Sequence, residues 1–180
     1  MRRVVITGMG LVTPLANGRE ASWKKLIAGE SGLKKVDLFE TGDLACKIGG
    51  QVPWVSGRGG GSADDPNSFD PEKTMSPKEQ RRVDEFILYA IAAADEAIAD
   101  AGWTPEGYED RVRTGVLIGS GIGGLKAIAD TAIELHEKSL AFAIEVGDRA
   151  AEGRAYGNLG TAYCFLEQFQ AVFLRLANSQ

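Results

Sequence analysis

Two short apolar runs, each ending in glycine and each followed by a helical pattern, limit the folds open to this chain of 180 residues. The first run covers residues 3–8 and the second covers residues 114–119. Short runs rich in β-branched residues are typical of strands buried on both faces of a sheet. With a short strand also predicted over residues 47–52, the order β-α-β-α-β-α followed by helices indicates an α/β fold.

The best-marked helix is predicted to begin at Ser76. The letters SPKE at this point fit a capping box with proline at the first helical position. An apolar stripe at helical spacing continues to Ala101, and Gly102 is a typical C-terminal stop. The glycine- and aspartate-rich residues 56–70 before it predict a surface loop or linker.

Composition excludes some classes of function and favours none. The chain is 44% hydrophobic and 25% charged, as ordinary globular proteins are, and its net charge of −5 argues against a nucleic-acid binder. Two distant cysteines suggest neither a disulfide framework nor a zinc site, and no apolar run is long enough to span a membrane. We therefore expect a cytoplasmic protein with no metal, cofactor, nucleic-acid or membrane partner.

The glycine loop at residues 119–124 fits the pattern G-x-G-x-x-G of dinucleotide-binding folds. That fingerprint also needs an acidic residue at the end of a second strand, about 20 residues further on. Glu145 lies near that distance but inside a helical run, and Thr13 replaces the third glycine of a similar N-terminal pattern. A tight turn between strand and helix is favoured over a dinucleotide site.

Four blocks in the same order resemble the elongating β-ketoacyl-acyl-carrier-protein synthases. They are VVITGMGLVTPL (residues 4–15), SWKKLIAGESG (residues 22–32), KEQRRVD (residues 78–84) and IGSGIGG (residues 118–124). The resemblance covers residues 1–138. It implies a partial thiolase-like fold and decarboxylative Claisen condensation in fatty-acid elongation.

The resemblance also implies two sites outside the chemistry. Ile122 corresponds to the isoleucine that helps to line the family's acyl pocket, although it fits equally a loop residue packed on the sheet. Lys78, Arg81 and Arg82 correspond to the basic residues that dock the acidic acyl carrier protein. On one helix face in the first two turns they would oppose the helix dipole, which favours a binding role. The alternative is a solvated face with an Arg81–Glu85 pair.

The family's chemistry requires a cysteine nucleophile at a helix N-terminus, in a TAC(S/T)(S/T)G motif, and two histidines. Cys46 lies upstream of the expected position, and Cys164 is followed by phenylalanine and leucine. His136 is the single histidine of the chain. We assign no catalytic residue, interpret Cys164 as a packed helical cysteine, and expect the chain alone to be inactive.

The C-terminal part has a second resemblance. GDRAAEGRAYGNLGTAY (residues 147–163) is similar to tetratricopeptide repeats of the G-protein-signalling-modulator kind. The predicted domains are a truncated ketoacyl synthase region, residues 1–138, and a tetratricopeptide-like tail, residues 139–180. The tail is predicted to be an α-helical hairpin, with helices over residues 149–166 and 168–178 that meet near Glu167.

The join between the two resemblances is predicted to be one helix over residues 125–146, because no glycine or proline interrupts it. A flexible linker at Lys138 and Ser139 is the alternative. Such a chimera would leave apolar surface uncovered, so a homo-oligomer or aggregate is expected. A protein-interaction module, acting through the tail or the basic helix, is the alternative function.

Overall fold

The computed structural model describes residues 3–39, 41–42, 44–121 and 123–177, excluding the side chains of residues 125, 126 and 164–177. The chain divides into two compact units, Met1–Gly121 and Ile122–Gln180. The first contains α1 (Arg19–Ile27), β1 (Leu33–Lys35), β2 (Ile48–Gly50), a 3₁₀ turn (Arg58–Gly60), α2 (Pro71–Thr74), α3 (Pro77–Gln80), α4 (Glu85–Ala101) and α5 (Tyr108–Arg113). The second contains α6 (Leu125–Val146) and α7 (Arg149–Ala177).

Neither of the two apolar runs that predict buried strands forms a strand. Val4 and Ile6 are 97% and 82% exposed, and Leu117 in the second run is 99% exposed. Among the described residues, the sheet is limited to β1 and β2. The predicted order β-α-β-α-β-α is therefore wrong. An apolar run of this type forms a buried strand only when neighbouring strands pair with its backbone and other elements pack on both of its faces. Among the described residues, neither run has such neighbours.

The sheet that does form is a small antiparallel pair, with Leu33 opposite Gly50 and Lys35 opposite Ile48. Strand β2 confirms the strand predicted over residues 47–52. Strand β1 was not predicted, because its letters LKK contain little of the β-branched or aromatic character that marks strands.

Helix α4 supports the N-terminal segment of the first unit. Gly8 and Gly10 lie so close to its backbone that a Cβ at either position would collide with the carbonyl oxygen of Ala97 or Ala93. The alanines are one turn apart, so their small side chains let the N-terminal segment lie directly on the helix. The helix ends at Gly102, at φ 59°, as predicted.

Two carboxylates on α4 bind the same segment. Glu96 accepts hydrogen bonds from the backbone N–H groups of Leu11 at 2.8 Å and Arg19 at 2.7 Å, which joins the segment to the start of α1. Asp100 accepts from the N–H of Met9 at 3.0 Å and pairs with the Arg19 guanidinium. The Arg19 hydrogen bond, followed by that from Met9, holds the pKa of Asp100 below its usual range.

Residues 56–70 form a packed loop, so the linker alternative is wrong. Phe69 is fully buried, and its ring centroid lies 5.0 Å from those of Trp54 and Tyr89. Its backbone N–H donates to the Pro53 carbonyl at 2.6 Å. The loop is thereby fixed to α4, which carries Tyr89.

In the second unit, α6 confirms the uninterrupted helix predicted over residues 125–146. The Ser139 hydroxyl donates to the Leu135 carbonyl at 2.9 Å within this helix, so the linker alternative at residues 138 and 139 is wrong. Lys138 pairs with Glu134 at 2.6 Å. The helix stops at Gly147, at φ 71°, and the Asp148 carboxylate then accepts from the first amides of α7.

Helix α7 runs without a break through residue 167, so the predicted meeting of two helices near Glu167 is wrong. Glutamate is a good helix former, and no glycine or proline occurs over residues 161–177. Helices α6 and α7 pack together as a helical hairpin, with Ala143, Ala155 and Leu159 buried. The predicted domain boundary at residues 138 and 139 falls inside α6 and stays a prediction, whereas the compact units divide after Gly121.

Candidate functional site

The three cations of the proposed docking site do not share one helix face, because Lys78 lies in α3 whereas Arg81 and Arg82 lie between α3 and α4. Helix α3 ends at Gln80, and Arg81 and Arg82 follow it in a turn. Asp84 is extended, at φ −81° and ψ 159°, as an N-terminal cap is, so the chain re-enters helix at Glu85. The single helix predicted from Ser76 to Ala101 is therefore wrong, and the helix-dipole argument for the cations does not apply.

We call residues 78–82 the basic turn. Lys78, Arg81 and Arg82 are exposed, and within the described part of the chain the structure gives them no ion pair. They are therefore available to an anionic partner, which a paired cation would not be.

Local hydrogen bonds fix the shape of the basic turn. The Ser76 hydroxyl donates to the Glu79 carboxylate at 2.5 Å, and the Gln80 side-chain amide donates to the Met75 carbonyl at 2.7 Å. The predicted capping box is incomplete, because neither side chain caps a backbone N–H of this short helix. Ser76 nonetheless donates a hydrogen bond to the Glu79 carboxylate, which lies beside the cations in the sequence.

The second carboxylate beside the turn is that of Glu85, and its partner is Arg58. The two Arg58 guanidinium nitrogens donate to the two Glu85 oxygens at 2.6 and 2.8 Å. The guanidinium lies 4.0 Å from the ring centroid of Trp54. Partial burial lowers the pKa of Arg58, but the bonds to Glu85 outweigh it and the pKa is raised overall. The alternative of an Arg81–Glu85 pair is therefore wrong, because Glu85 pairs with Arg58.

Tyr89 completes this cluster one turn after Glu85 on α4. Its hydroxyl accepts from the Trp54 indole N–H at 2.8 Å and from Arg58 at 3.3 Å. Burial, together with the charge of Glu85, raises the pKa of Tyr89 to about 12, so the phenol stays protonated at neutral pH. This cluster was not predicted from the sequence. Trp54 and Arg58 are four residues apart, as are Glu85 and Tyr89, but no sequence pattern indicates that the two pairs are in contact.

Ile122, assigned to the acyl pocket, lies outside the described residues, so that assignment stays a prediction. The residues before it have no strand structure, and Glu145 lies within α6 rather than after a strand. Within the described residues, the loop therefore lacks the strand and the acidic position that a dinucleotide site requires.

The candidate nucleophiles are placed without an active-site arrangement. Cys46 is partly buried and donates to the Ile48 carbonyl at 3.4 Å. Cys164 lies well inside α7, and its side chain is outside the described residues; His136 is partly exposed on α6. Across the described residues, no three His, Cys, Asp or Glu side chains cluster as metal ligands would, and no helix is long and apolar enough to cross a membrane.

Comparison with known families decides the relationship. The family model described as "Beta-ketoacyl synthase, N-terminal domain" matches residues 1–162. The chain belongs to the β-ketoacyl synthase family. The matched region of this ketoacyl synthase chain includes all of α6 and the first half of α7, so it extends beyond the blocks from which the resemblance was predicted.

Curated relatives agree with this ketoacyl synthase assignment. The chain is 52% identical over 138 residues to 3-oxoacyl-(acyl-carrier-protein) synthase 2 of Rhizobium meliloti (strain 1021), covering 77% of this chain and 31% of that protein. It is 42% identical over 127 residues to the protein of the same name in Vibrio cholerae, covering 71% of this chain and 27% of the relative. The ketoacyl synthase chain thus spans about a third of the length of these relatives.

A solved structure, "The ishigamide ketosynthase/chain length factor", shares the fold of this ketoacyl synthase chain. The TM-score is 0.51 at 24% identity, covering 83% of this chain and 32% of that chain. The likeness shows the thiolase-like ketosynthase fold in the path of the backbone, even though the strands expected over residues 3–8 and 114–119 are not formed. The tetratricopeptide-like tail is not shown by these comparisons.

Proposed function

We propose that this chain supplies the N-terminal part of a β-ketoacyl-acyl-carrier-protein synthase of fatty-acid elongation without itself performing the condensation. The observation that carries the proposal is the family match over residues 1–162. The reaction needs an acyl group held as a thioester on a cysteine. The carbanion left when a malonyl thioester loses CO₂ then attacks that thioester carbonyl, the C–S bond breaks, and the cysteine leaves as its thiolate. We place the protein in the cytoplasm, where such soluble carriers are found.

The inactivity follows from the residues that this chemistry demands. A nucleophilic cysteine needs a lowered thiol pKa, which a helix N-terminus or a nearby cation provides. Cys164 lies fifteen residues after the start of α7, and Cys46 precedes β2 without a helix. His136 has no second histidine in the sequence to share the decarboxylation.

The test is a condensation assay with acyl and malonyl carrier proteins. We expect no ketoacyl product from the purified chain. Turnover that disappears in the Cys164→Ala variant, and persists in Cys46→Ala, would contradict the proposal and make Cys164 the nucleophile.

Docking of acyl carrier protein at Lys78, Arg81 and Arg82 is the binding half of the proposal. Their exposure and their lack of ion-pair partners among the described residues support it. Because exposed charges are screened over about 10 Å at 0.1 M salt, the complex should be weak and salt-sensitive.

A protein-interaction role for the helical tail of residues 139–180, together with the rest of α6, is the second candidate function. Ile128, Leu135 and Phe142 are exposed at a seven-residue spacing on α6, which aligns them along one side of the helix. The stripe begins in the predicted synthase region of residues 1–138 and reaches the predicted tail at Phe142, and it supports binding of a partner along α6. Replacing all three residues by glutamine should leave carrier-protein binding unchanged, which separates the two candidates.

A further inference from the structure

We propose that Arg58 is a positioning residue for the basic turn: its ion pair with Glu85 cancels a carboxylate charge beside the three cations and so sets the turn's affinity for an acidic protein. This inference rests on the docking proposed for residues 78, 81 and 82.

The charges around the basic turn explain why a cation paired with Glu85 matters for binding. Residues 76–85 contain three cations and three carboxylates, those of Glu79, Asp84 and Glu85. Without a further cation, this segment would have no net charge and would attract an acidic protein only weakly. A cation from elsewhere in the fold is needed to make it positive, and Arg58 is contributed by the loop between β2 and α2.

The distance is short enough for the Glu85 charge to matter. Glu85 follows Arg82 by three residues, so their Cα atoms are at most about 11 Å apart, close to the screening length of about 10 Å at 0.1 M salt. An unpaired carboxylate at Glu85 would therefore reduce the positive potential at the turn. The same reasoning makes the Arg58 contact a contribution to binding and not only to folding.

The geometry holds Arg58 in this role. Two parallel hydrogen bonds to Glu85, contact with the Trp54 ring and a bond to the Tyr89 hydroxyl fix the guanidinium on three sides. Arginine suits such a site because its planar fork binds both carboxylate oxygens and stacks on an aromatic ring.

The experiment measures binding of the full chain to two probes, fluorescently labelled acyl carrier protein and poly-L-glutamate, at low salt. Arg58→Gln should weaken both about three- to tenfold, because it exposes the Glu85 charge as well as removing a cation. Glu85→Gln should bind at least as tightly as the unaltered chain. The double variant Arg58→Gln/Glu85→Gln, with unchanged net charge, should return to within about twofold of it.

Two controls separate masking from simpler effects. Arg111→Gln removes an exposed cation on α5 and should change either affinity less than about twofold, because exposed charges act weakly and locally. Arg58→Lys keeps the charge and should retain most of the affinity even if it melts earlier. Near-ultraviolet circular dichroism of each variant establishes that the Trp54 and Tyr89 environment is preserved.

The outcomes are distinct. Equal weakening by Arg58→Gln and Glu85→Gln with no recovery in the double variant would overturn the proposal, since that is the pattern of a purely structural ion pair. Equal weakening by Arg111→Gln would overturn it as well, because net charge alone would explain the result. The predicted pattern with poly-L-glutamate but no binding of carrier protein would support masking and reject the proposed docking. No binding of either probe would reject both.

Discussion

At the scale of single residues, two glycines of the first unit have a role in packing that the sequence does not suggest. Gly8 was expected to end a strand in a turn, and Gly10 was considered only as part of an incomplete dinucleotide pattern. In the structure their missing side chains instead allow the N-terminal segment to approach the backbone of α4 closely. Local sequence patterns do not predict this contact, because the residues of α4 involved are more than 80 positions away in the sequence.

Gly10→Ala should therefore destabilise the first unit. The added Cβ would collide with the Ala93 carbonyl, and relief by a backbone shift costs about 1–3 kcal/mol. The measurement is urea unfolding followed by tryptophan fluorescence. Gly115→Ala is the matched control, because nothing lies within 4 Å of a Cβ at that position. Equal midpoints for the two variants would show that the segment does not contact α4.

The Asp100 carboxylate gives a pH dependence of definite sign. Because the Arg19 guanidinium and the Met9 N–H lower its pKa in the folded state, ionised Asp100 stabilises the fold above its unfolded pKa of about 3.9. That contribution is lost as the pH falls through the lower, folded pKa.

Asp100→Asn should accordingly be less stable than the unaltered chain at pH 7, and the difference should shrink as the pH falls below about 4. Thermal unfolding at a series of pH values checks this. Glu20→Gln is the matched control, because it removes the exposed partner of the same Arg19 guanidinium and should change stability much less. A difference for Asp100→Asn that is constant from pH 7 to pH 3 would mean that the Asp100 charge has no part in the contact.

At the scale of elements, helices and their stops were predictable where local signals determine them. Helix α6 runs over the predicted residues, Gly102 and Gly147 end their helices in the left-handed conformation, and Asp148 caps α7. Strand β2 was predicted, but the strands expected over residues 3–8 and 114–119 did not form, because a buried strand depends on neighbours that the sequence does not name. The basic turn was missed because Asp84 restarts a helix inside an apolar pattern that reads as continuous.

Asp148→Ala should loosen the start of α7 by about 1 kcal/mol, because the carboxylate accepts from the N–H groups of Ala150 and Ala151 at 3.0 Å. Amide hydrogen exchange at these two residues should become faster, while exchange in the middle of α6 stays unchanged. Asp148→Asn, which keeps an accepting oxygen, should restore most of the protection. Unchanged exchange in the alanine variant would show that the cap does not stabilise the helix.

At the scale of the whole molecule, the family was predictable from four sequence blocks, whereas the predicted domain boundary at residues 138 and 139 stays a prediction. The backbone follows a thiolase-like path, yet two apolar runs of the chain are exposed. They are exposed because they are not paired with neighbouring strands in a sheet. Val4, Ile6 and Leu117 remain in water as a result. Such surface favours self-association.

We therefore expect oligomers or aggregates in size-exclusion chromatography with light scattering. The variant Val4→Lys/Ile6→Lys should shift the distribution towards monomer, because charges on an exposed apolar segment oppose pairing. Val112→Lys, at an exposed site on α5, is the matched control. A monomeric unaltered chain with a sharp melting transition would contradict this expectation.

The most direct test of the proposed role is an NMR titration of ¹⁵N-labelled acyl carrier protein with the full chain. We predict shifts confined to an acidic surface of the carrier protein, weakened by salt and abolished when Lys78, Arg81 and Arg82 are all replaced by glutamate. The absence of shifts with the unaltered chain, or shifts that survive the triple replacement, would contradict docking at the basic turn.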